Sequence, residues 1–75
     1  MEDKPLSGIS ILVLDDDKLL CRRIGAYLES RGAESLQAFT LEEGRNLLGE
    51  YSFDIVLSDI HLPDGDGLDL LREGA

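Results

Sequence analysis

The sequence is poor in several features that mark specialised classes of protein. Its single cysteine, Cys21, excludes a disulfide within the chain, and its longest apolar run, residues 11–14, is far shorter than the ~20 residues of a membrane-spanning helix. Seven Lys and Arg stand against sixteen Asp and Glu, and the resulting net charge of −9 disfavours direct binding to nucleic acid. The opening Met-Glu-Asp-Lys lacks the basic and apolar character of a signal peptide. We therefore expect a cytoplasmic domain that contacts neither membrane nor nucleic acid.

The remaining composition is that of a small globular domain. Of the 75 residues, 43% are hydrophobic and 31% are charged, a balance that excludes a disordered tail. Residues 1–8 are polar and include Pro5 and Gly8, so we predict a flexible lead-in there. Residues 9–75 contain no repeat and no low-complexity stretch, and they are predicted to form one continuous domain.

Apolar periodicity predicts alternating strands and helices in this domain. Residues 9–14 and 53–57 are almost entirely apolar, which is typical of strands buried on both faces of a parallel sheet. Polar and apolar residues alternate only weakly over residues 33–39, which indicates an edge strand. The three predicted helices begin near Asp17, Thr40 and Asp66. The order β-α-β-α-β-α predicts an α/β fold with a parallel sheet.

Each of the first two predicted helices has further local signals. The predicted buried stripe of the first helix comprises Leu20, Ile24, Tyr27 and Leu28, and Gly32 follows as a stop. Thr40 and Glu43 have the spacing of a capping box, and residues 49–52 are predicted to end the second helix. Cys21 is predicted to be a small buried apolar side chain, and Asp64 and Asp66 are predicted to cap helices.

Acidic residues follow two of the predicted strands at the point where each strand ends. Asp15 and Asp16 come after the first strand, and Asp59 comes after the third. If these strands are neighbours in a parallel sheet, their terminal carboxylates converge and repel one another unless a divalent cation such as Mg²⁺ lies between them. Once the charge is neutralised, a carboxylate can attack phosphorus and form an aspartyl phosphate. Asp59 is the candidate nucleophile, and Asp15 and Asp16 are the candidate metal ligands.

A purely structural alternative exists for the first acidic group. The run Asp15 to Asp17 precedes a predicted helix, where carboxylates stabilise the unpaired N–H groups and the positive end of the helix dipole. Helix capping accounts for Asp17, but it does not explain why an independent strand far along the chain also ends in Asp59.

Two segments resemble the receiver domain of two-component response regulators. They are Ile11-Leu-Val-Leu-Asp-Asp-Asp17 and Asp54-Ile-Val-Leu-Ser-Asp-Ile-His-Leu-Pro-Asp-Gly-Asp-Gly-Leu68, and the resemblance covers residues 9–73. This chain shares four features with the family. They are an acid pair that closes the first strand, an Asp that closes the third, a Pro four residues after that Asp, and an Asp-Gly-Leu that opens a helix. The resemblance implies that Pro63 and Gly67 shape the intervening loop.

The resemblance implies a flavodoxin-like fold with strand order 2-1-3 in this chain. It also implies that Asp59 accepts a phosphoryl group from a histidine kinase or a phosphotransfer protein. Mg²⁺ would be bound by the carboxylates of Asp16 and Asp59 and by the backbone carbonyl of His61, while Asp15 would act mainly through metal-bound water. A receiver of this kind is a phosphoacceptor rather than an enzyme.

The resemblance ends in the third helix, whereas a receiver has roughly 120 residues. We therefore expect a partial receiver without the family's later Ser/Thr, Lys and switch aromatic, so that metal binding is retained better than phosphorylation. The third strand, residues 53–57, would then be an exposed sheet edge with no Lys or Pro to block pairing. This predicts a homodimer with sheet order 2-1-3-3′-1′-2′.

Two other functions remain open from the sequence. One is a receiver fragment that only dimerises and has no chemical activity. The other is a fragment of a haloacid-dehalogenase-type phosphatase, because Asp15 and Asp17 have the spacing of that family's nucleophile motif. That motif expects Thr or Val where this chain has Leu19, and it leaves the segment from Asp59 to Leu68 unexplained.

Overall fold

Strands and helices follow the predicted order, with two additional short strands between the third strand and the last helix. The structure, a computed structural model, describes residues 4–59 and 61–73. Its elements are β1 (Ser10–Leu14), α1 (Lys18–Ser30), β2 (Glu34–Ala38), α2 (Leu41–Glu50), β3 (Ile55–Ser58), β4 (His61–Leu62), β5 (Gly65–Asp66) and α3 (Leu68–Glu73). In the part of the chain thus described, no helix combines the length and the apolar content needed to cross a membrane.

The central sheet is parallel and has the predicted strand order β2-β1-β3. Leu14, the last residue of β1, lies opposite Ala38 of β2 and Ser58 of β3. The carboxyl ends of all three strands therefore meet at one edge of the sheet. The prediction that β2 is an edge strand is confirmed.

The core is built on both faces of β1. Residues 11–14 are each no more than 2% exposed, as predicted for a strand covered on two sides. Leu12 and Leu14 belong to one apolar cluster, and Ile11 and Val13 belong to a second cluster that includes Cys21. Cys21 is fully buried, which confirms its prediction as a small apolar side chain.

Helix α1 begins after Asp17, whose Oδ1 accepts a hydrogen bond from the backbone N–H of Leu20 at 3.0 Å. The predicted buried stripe is wrong in part, because Leu20 and Tyr27 are 41% and 63% exposed. The buried residues of this helix are Cys21, Gly25 and Leu28. The small residues Cys21 and Gly25 let the helix approach β2 closely. The periodicity of large apolar residues does not reveal this face, because two of its three members are small.

Helix α2 has the predicted capping residues. Thr40 Oγ accepts from the N–H of Glu43 at 3.1 Å, and Glu43 Oε1 accepts from the N–H of Phe39 at 2.7 Å. The predicted break at residues 49–52 is wrong by two residues, since the helix continues through the exposed Gly49 to Glu50.

Strand β3 is less buried than its apolar sequence predicts. Ile55 and Leu57 are 41% and 43% exposed. The reason is that β3 lies at an edge of the sheet, paired with β1 on one side only within the described residues. Asp54, just before the strand, accepts a hydrogen bond from Ser10 N–H at 2.8 Å, which fixes the start of β3 against the start of β1.

Residues 61–66 contain two short strands where the resemblance implies only a loop. Strands β4 and β5 form a short antiparallel hairpin in which His61 lies opposite Asp66. Helix α3 begins at Leu68 rather than at Asp66, because Asp66 Oδ1 accepts from the N–H of Leu68 at 2.9 Å and acts as a cap.

The segment before β1 contacts the end of α1. Leu6 N–H donates to the carbonyl of Arg31 at 2.9 Å, and Gly32 has a φ of 98°, a conformation that favours glycine. The division into a flexible lead-in, residues 1–8, and a domain, residues 9–75, stays a prediction; residues 1–3 lie outside the described residues.

Candidate functional site

Three predicted site residues lie together at the carboxyl edge of the sheet. Asp15 and Asp16 directly follow β1, and Asp59 directly follows β3, the neighbouring strand. Each contributes one carboxylate oxygen to a group in which all oxygens lie within 4.8 Å of one another. The parallel arrangement of β1 and β3 thus produces the convergence that the sequence predicts. We call these three residues the acidic cluster.

Asp15 is held by contacts with β2 and with α1. Its backbone N–H donates to the carbonyl of Ala38 at 3.0 Å, and its Oδ1 accepts from the N–H of Asp17 at 2.9 Å. Its carbonyl accepts a hydrogen bond from the thiol of Cys21 at 3.3 Å. Burial, together with the negative charge of Asp15, raises the pKa of the Cys21 thiol, so this thiol stays protonated as a donor.

Asp59 is held by β1 on one side and by the segment that follows it on the other. Its backbone N–H donates to the carbonyl of Leu14 at 2.8 Å, and its Oδ1 accepts from the N–H of His61 at 3.3 Å. Its carbonyl oxygen accepts from the hydroxyl of Ser58 at 2.9 Å. A Cβ at Gly67 would overlap this carbonyl oxygen and this hydroxyl, so the close approach requires glycine.

The donor set of the acidic cluster fits a hard divalent cation. Asp15 and Asp59 are half-buried, and Asp16 is exposed. Three carboxylates at this separation repel one another, and oxygen ligands with room for several waters are those that Mg²⁺ prefers. The ion pairs Arg45–Glu73 and Arg72–Asp69 lie elsewhere and do not neutralise the cluster.

Cavities border Asp59 on both faces of β3. A cavity of about 150 Å³ borders Asp59 on the side of α2 and α3, where Leu48 and Leu70 line it. A second cavity, of about 280 Å³, borders Asp59 and Asp15 on the side of α1, where Ile24 lines it. Asp59 therefore borders open space on both sides of the strand that precedes it.

The structure separates the other predicted acidic residues from the cluster. Asp17 caps α1 and Asp66 caps α3, as the capping interpretation predicts. Asp64 is also a cap, but of the preceding helix: its two oxygens accept from the N–H groups of Leu41 and Glu42 at the start of α2. His61, two positions after Asp59, has an exposed side chain. Ile60, the residue between them in the sequence, is outside the described residues.

Sequence reasoning missed two contacts near the acidic cluster and its flanking hairpin. The hydrogen bond from Cys21 to Asp15 and the role of Asp64 at α2 join residues that lie close in space but are not marked by any local pattern. The Asp64 partners are 22 and 23 positions away along the chain, beyond the reach of spacing rules.

Comparison with known proteins identifies the family. A family model described as the response regulator receiver domain matches residues 11–73. The chain is 36% identical over 62 residues to the cell cycle transcriptional regulator CtrA of Caulobacter vibrioides, and 30% identical over 64 residues to the KDP operon transcriptional regulatory protein KdpE of Escherichia coli. These matches cover 83% and 85% of this chain but only 27% and 28% of the relatives.

Solved structures agree with this assignment. The non-phosphorylated HemR receiver domain of Leptospira biflexa has a TM-score of 0.81 at 35% identity, and a response regulator receiver domain protein of Clostridium thermocellum has 0.80 at 37% identity. Both matches cover 87% of this chain, which spans 52% and 53% of those two chains.

The acidic cluster, the strand order β2-β1-β3 and the matches over residues 11–73 lead to one conclusion. The chain belongs to the response regulator receiver domain family.

Proposed function

We propose that this chain is a phosphoacceptor of two-component signalling and that Asp59 receives the phosphoryl group. The observation that carries the proposal is the acidic cluster, in which three carboxylate oxygens lie within 4.8 Å of one another at the ends of two adjacent strands. The phosphoryl donor is a histidine kinase or a phosphotransfer protein, as family membership suggests.

The transfer needs few steps from this chain. An oxygen of the Asp59 carboxylate attacks phosphorus, the new O–P bond forms, and the P–N bond to the donor's imidazole breaks with its electron pair remaining on the imidazole nitrogen. The carboxylates of Asp16 and Asp59 and the backbone carbonyl of His61 would hold Mg²⁺, with Asp15 acting mainly through metal-bound water, and the ion would supply positive charge that neutralises the transferred group. The product stays on Asp59, so the chain acts as an acceptor and not as an enzyme with turnover.

A second proposal concerns association. Strand β3 lies at the sheet edge, and its side chains Ile55 and Leu57 are 41% and 43% exposed. Such an edge favours pairing with another strand. We propose a homodimer in which β3 pairs with its copy, antiparallel about a twofold axis, and the net charge of −9 opposes this association at low salt.

The acceptor proposal is tested by intact mass after incubation with Mg²⁺ and acetyl phosphate as a small phosphodonor. We expect a gain of one phosphoryl group in the wild type and in Asp69→Asn, a charge-matched control on the exposed side of α3. Asp59→Asn should show no gain. Equal labelling of Asp59→Asn and the wild type would contradict the proposal.

The same experiment separates the alternatives. Labelling that is lost in Asp15→Asn and kept in Asp59→Asn would support a haloacid-dehalogenase-type phosphatase. The engagement of Asp17 as the cap of α1 speaks against that function, which needs this carboxylate at the site. A folded protein that dimerises and gains no phosphoryl group would support a non-catalytic dimerising fragment. The expected cytoplasmic location rests on the composition and on the proposed donor.

A further inference from the structure

Asp64 joins the segment after Asp59 to the start of helix α2. Its Oδ1 accepts from the backbone N–H of Leu41 at 2.7 Å, and its Oδ2 accepts from the N–H of Glu42 at 3.1 Å. Asp64 lies in the turn between β4 and β5, whereas Leu41 and Glu42 form the first turn of α2. The carboxylate thus spans two elements that are distant along the chain.

The first turn of α2 depends on this carboxylate for two of its hydrogen bonds. The first N–H groups of a helix have no partner within the helix. Here Thr40 Oγ accepts from the third of them, on Glu43, and Asp64 accepts from the first and second. These donors lower the pKa of the Asp64 carboxyl, the bond from Leu41 being the largest cause, so Asp64 is ionised at neutral pH and also interacts favourably with the positive end of the helix dipole.

A second contact holds the same hairpin against α2. A Cβ at Gly65 would lie 2.6 Å from Cδ1 of Leu41, so the backbone of the hairpin touches this side chain directly. Gly65 has a φ of 147°, which favours glycine. Leu62 of β4 is buried in the apolar cluster that also contains Leu41.

The other end of the hairpin contacts the acceptor. His61, the first residue of β4, donates its N–H to Asp59 Oδ1 at 3.3 Å, and it lies opposite Asp66 of β5. A displacement of the turn at Asp64 is therefore transmitted to His61 through a hairpin only two residues long on each strand.

We propose that Asp64 is a positioning residue for the acidic cluster: by binding the start of α2, it sets where the His61 backbone lies relative to Asp59. The inference rests on the proposed function, because it assigns Asp64 a role in the metal affinity of that site. Asp64 itself binds no metal and contacts no phosphoryl group.

Two variants separate positioning from helix capping alone. Asp64→Asn keeps the size of the side chain but offers one acceptor oxygen and an NH₂ group that cannot accept, so one of the two α2 donors loses its partner. Thr40→Ala removes a different cap from the same helix and leaves the hairpin contact in place. A third variant, Asp66→Asn, removes the same charge from the same hairpin without touching α2.

The first measurement is amide hydrogen exchange of the full chain without metal. We expect Asp64→Asn to accelerate exchange at Leu41, Glu42 and also His61, whereas Thr40→Ala accelerates exchange in α2 alone. Unchanged exchange at His61 in Asp64→Asn would show that Asp64 is only a cap and would overturn the proposal. Slow exchange of the β1 amides in every variant verifies that the fold is retained.

The second measurement is the Mg²⁺ dissociation constant of each variant by calorimetric titration. We expect Asp64→Asn to weaken binding about tenfold, the lower end of the effect of residues that support metal ligands. Thr40→Ala and Asp66→Asn should change it less than about twofold, and equal weakening in all three would overturn the proposal. If the wild type itself binds no Mg²⁺, the metal site of the proposed function fails, while the exchange experiment still decides the role of Asp64.

Discussion

The backbone N–H of Asp59 donates to the carbonyl of Leu14 at 2.8 Å, so the last hydrogen bond between the segment of β3 and β1 lies at Asp59 itself. Leu14 is fully buried, and Asp15 follows it directly. The buried strand β1 therefore sets the separation between the two ends of the acidic cluster. The residues that stabilise the end of β1 are therefore the same residues that set the geometry of the site.

Truncation of β1 in the core should destabilise the whole domain. Leu12 is fully buried, and we expect Leu12→Ala to lower the free energy of unfolding by about 2–5 kcal/mol. Leu19→Ala, at a position 55% exposed on α1, should change it by less than about 0.5 kcal/mol. Urea denaturation followed by circular dichroism measures both. Equal effects of the two substitutions would contradict the assigned core.

A methyl group at Gly67 should damage the site. The new Cβ would overlap the Asp59 carbonyl oxygen, so we expect Gly67→Ala to shift Asp59 and to weaken Mg²⁺ binding. Gly49→Ala is the matched control, because nothing lies within 4 Å of its Cβ and the residue is helical. That control should stabilise the domain by about 0.5–1 kcal/mol and leave Mg²⁺ affinity unchanged. An unaltered affinity in Gly67→Ala would argue against the close approach at Asp59.

Acid should loosen the attachments of α2. Hydrogen bonds from backbone N–H groups lower the pKa of Asp64, and the hydrogen bond from Arg45 lowers the pKa of Glu73 on α3. Each carboxyl has a lower pKa folded than unfolded, so its contribution is present above the unfolded pKa, near 4, and is lost as pH falls through the folded value.

We therefore expect the urea midpoint to fall between about pH 5 and pH 2. The double variant Asp64→Asn/Glu73→Gln should show a shallower fall over that range. Asp69→Asn supplies the comparison, because Asp69 and its partner Arg72, 3.4 Å away on the same helix, have solvent-exposed side chains and their ion pair contributes little to stability. Parallel pH profiles for the double variant and the wild type would exclude these carboxyls as a source of acid sensitivity.

Association through β3 should respond to charge on its exposed face. In a twofold antiparallel pair, Ile55→Lys would place a charged side chain at the edge that the two β3 strands share. Because a Lys on an edge strand opposes its pairing with another strand, we expect this substitution to dissociate the proposed dimer. Leu19→Lys on α1 should leave it intact. Sedimentation equilibrium at two salt concentrations measures both, with tighter association at higher salt because the chain carries a net charge of −9. A wild-type monomer at micromolar concentration would refute the dimer.

Much of the site could be predicted because it depends on local signals. Two apolar runs that each end in Asp indicate parallel strands with carboxylates at one edge, and β1 and β3 are in fact neighbours. The buried face of α1 could not be predicted from large apolar residues, since it depends on Cys21 and Gly25. The pairing of Asp64 with α2 could not be predicted either, because tertiary packing brings these residues together.

The most direct test of the account is a Mg²⁺ titration followed by amide chemical shifts of the uniformly ¹⁵N-labelled chain. We expect saturable shifts concentrated at Asp15, Asp16, Asp59 and His61, and their loss in Asp16→Asn. Asp69→Asn should titrate like the wild type. Small linear shifts spread over all acidic residues would mean that Mg²⁺ only screens the surface charge, and would contradict a metal site at the ends of β1 and β3.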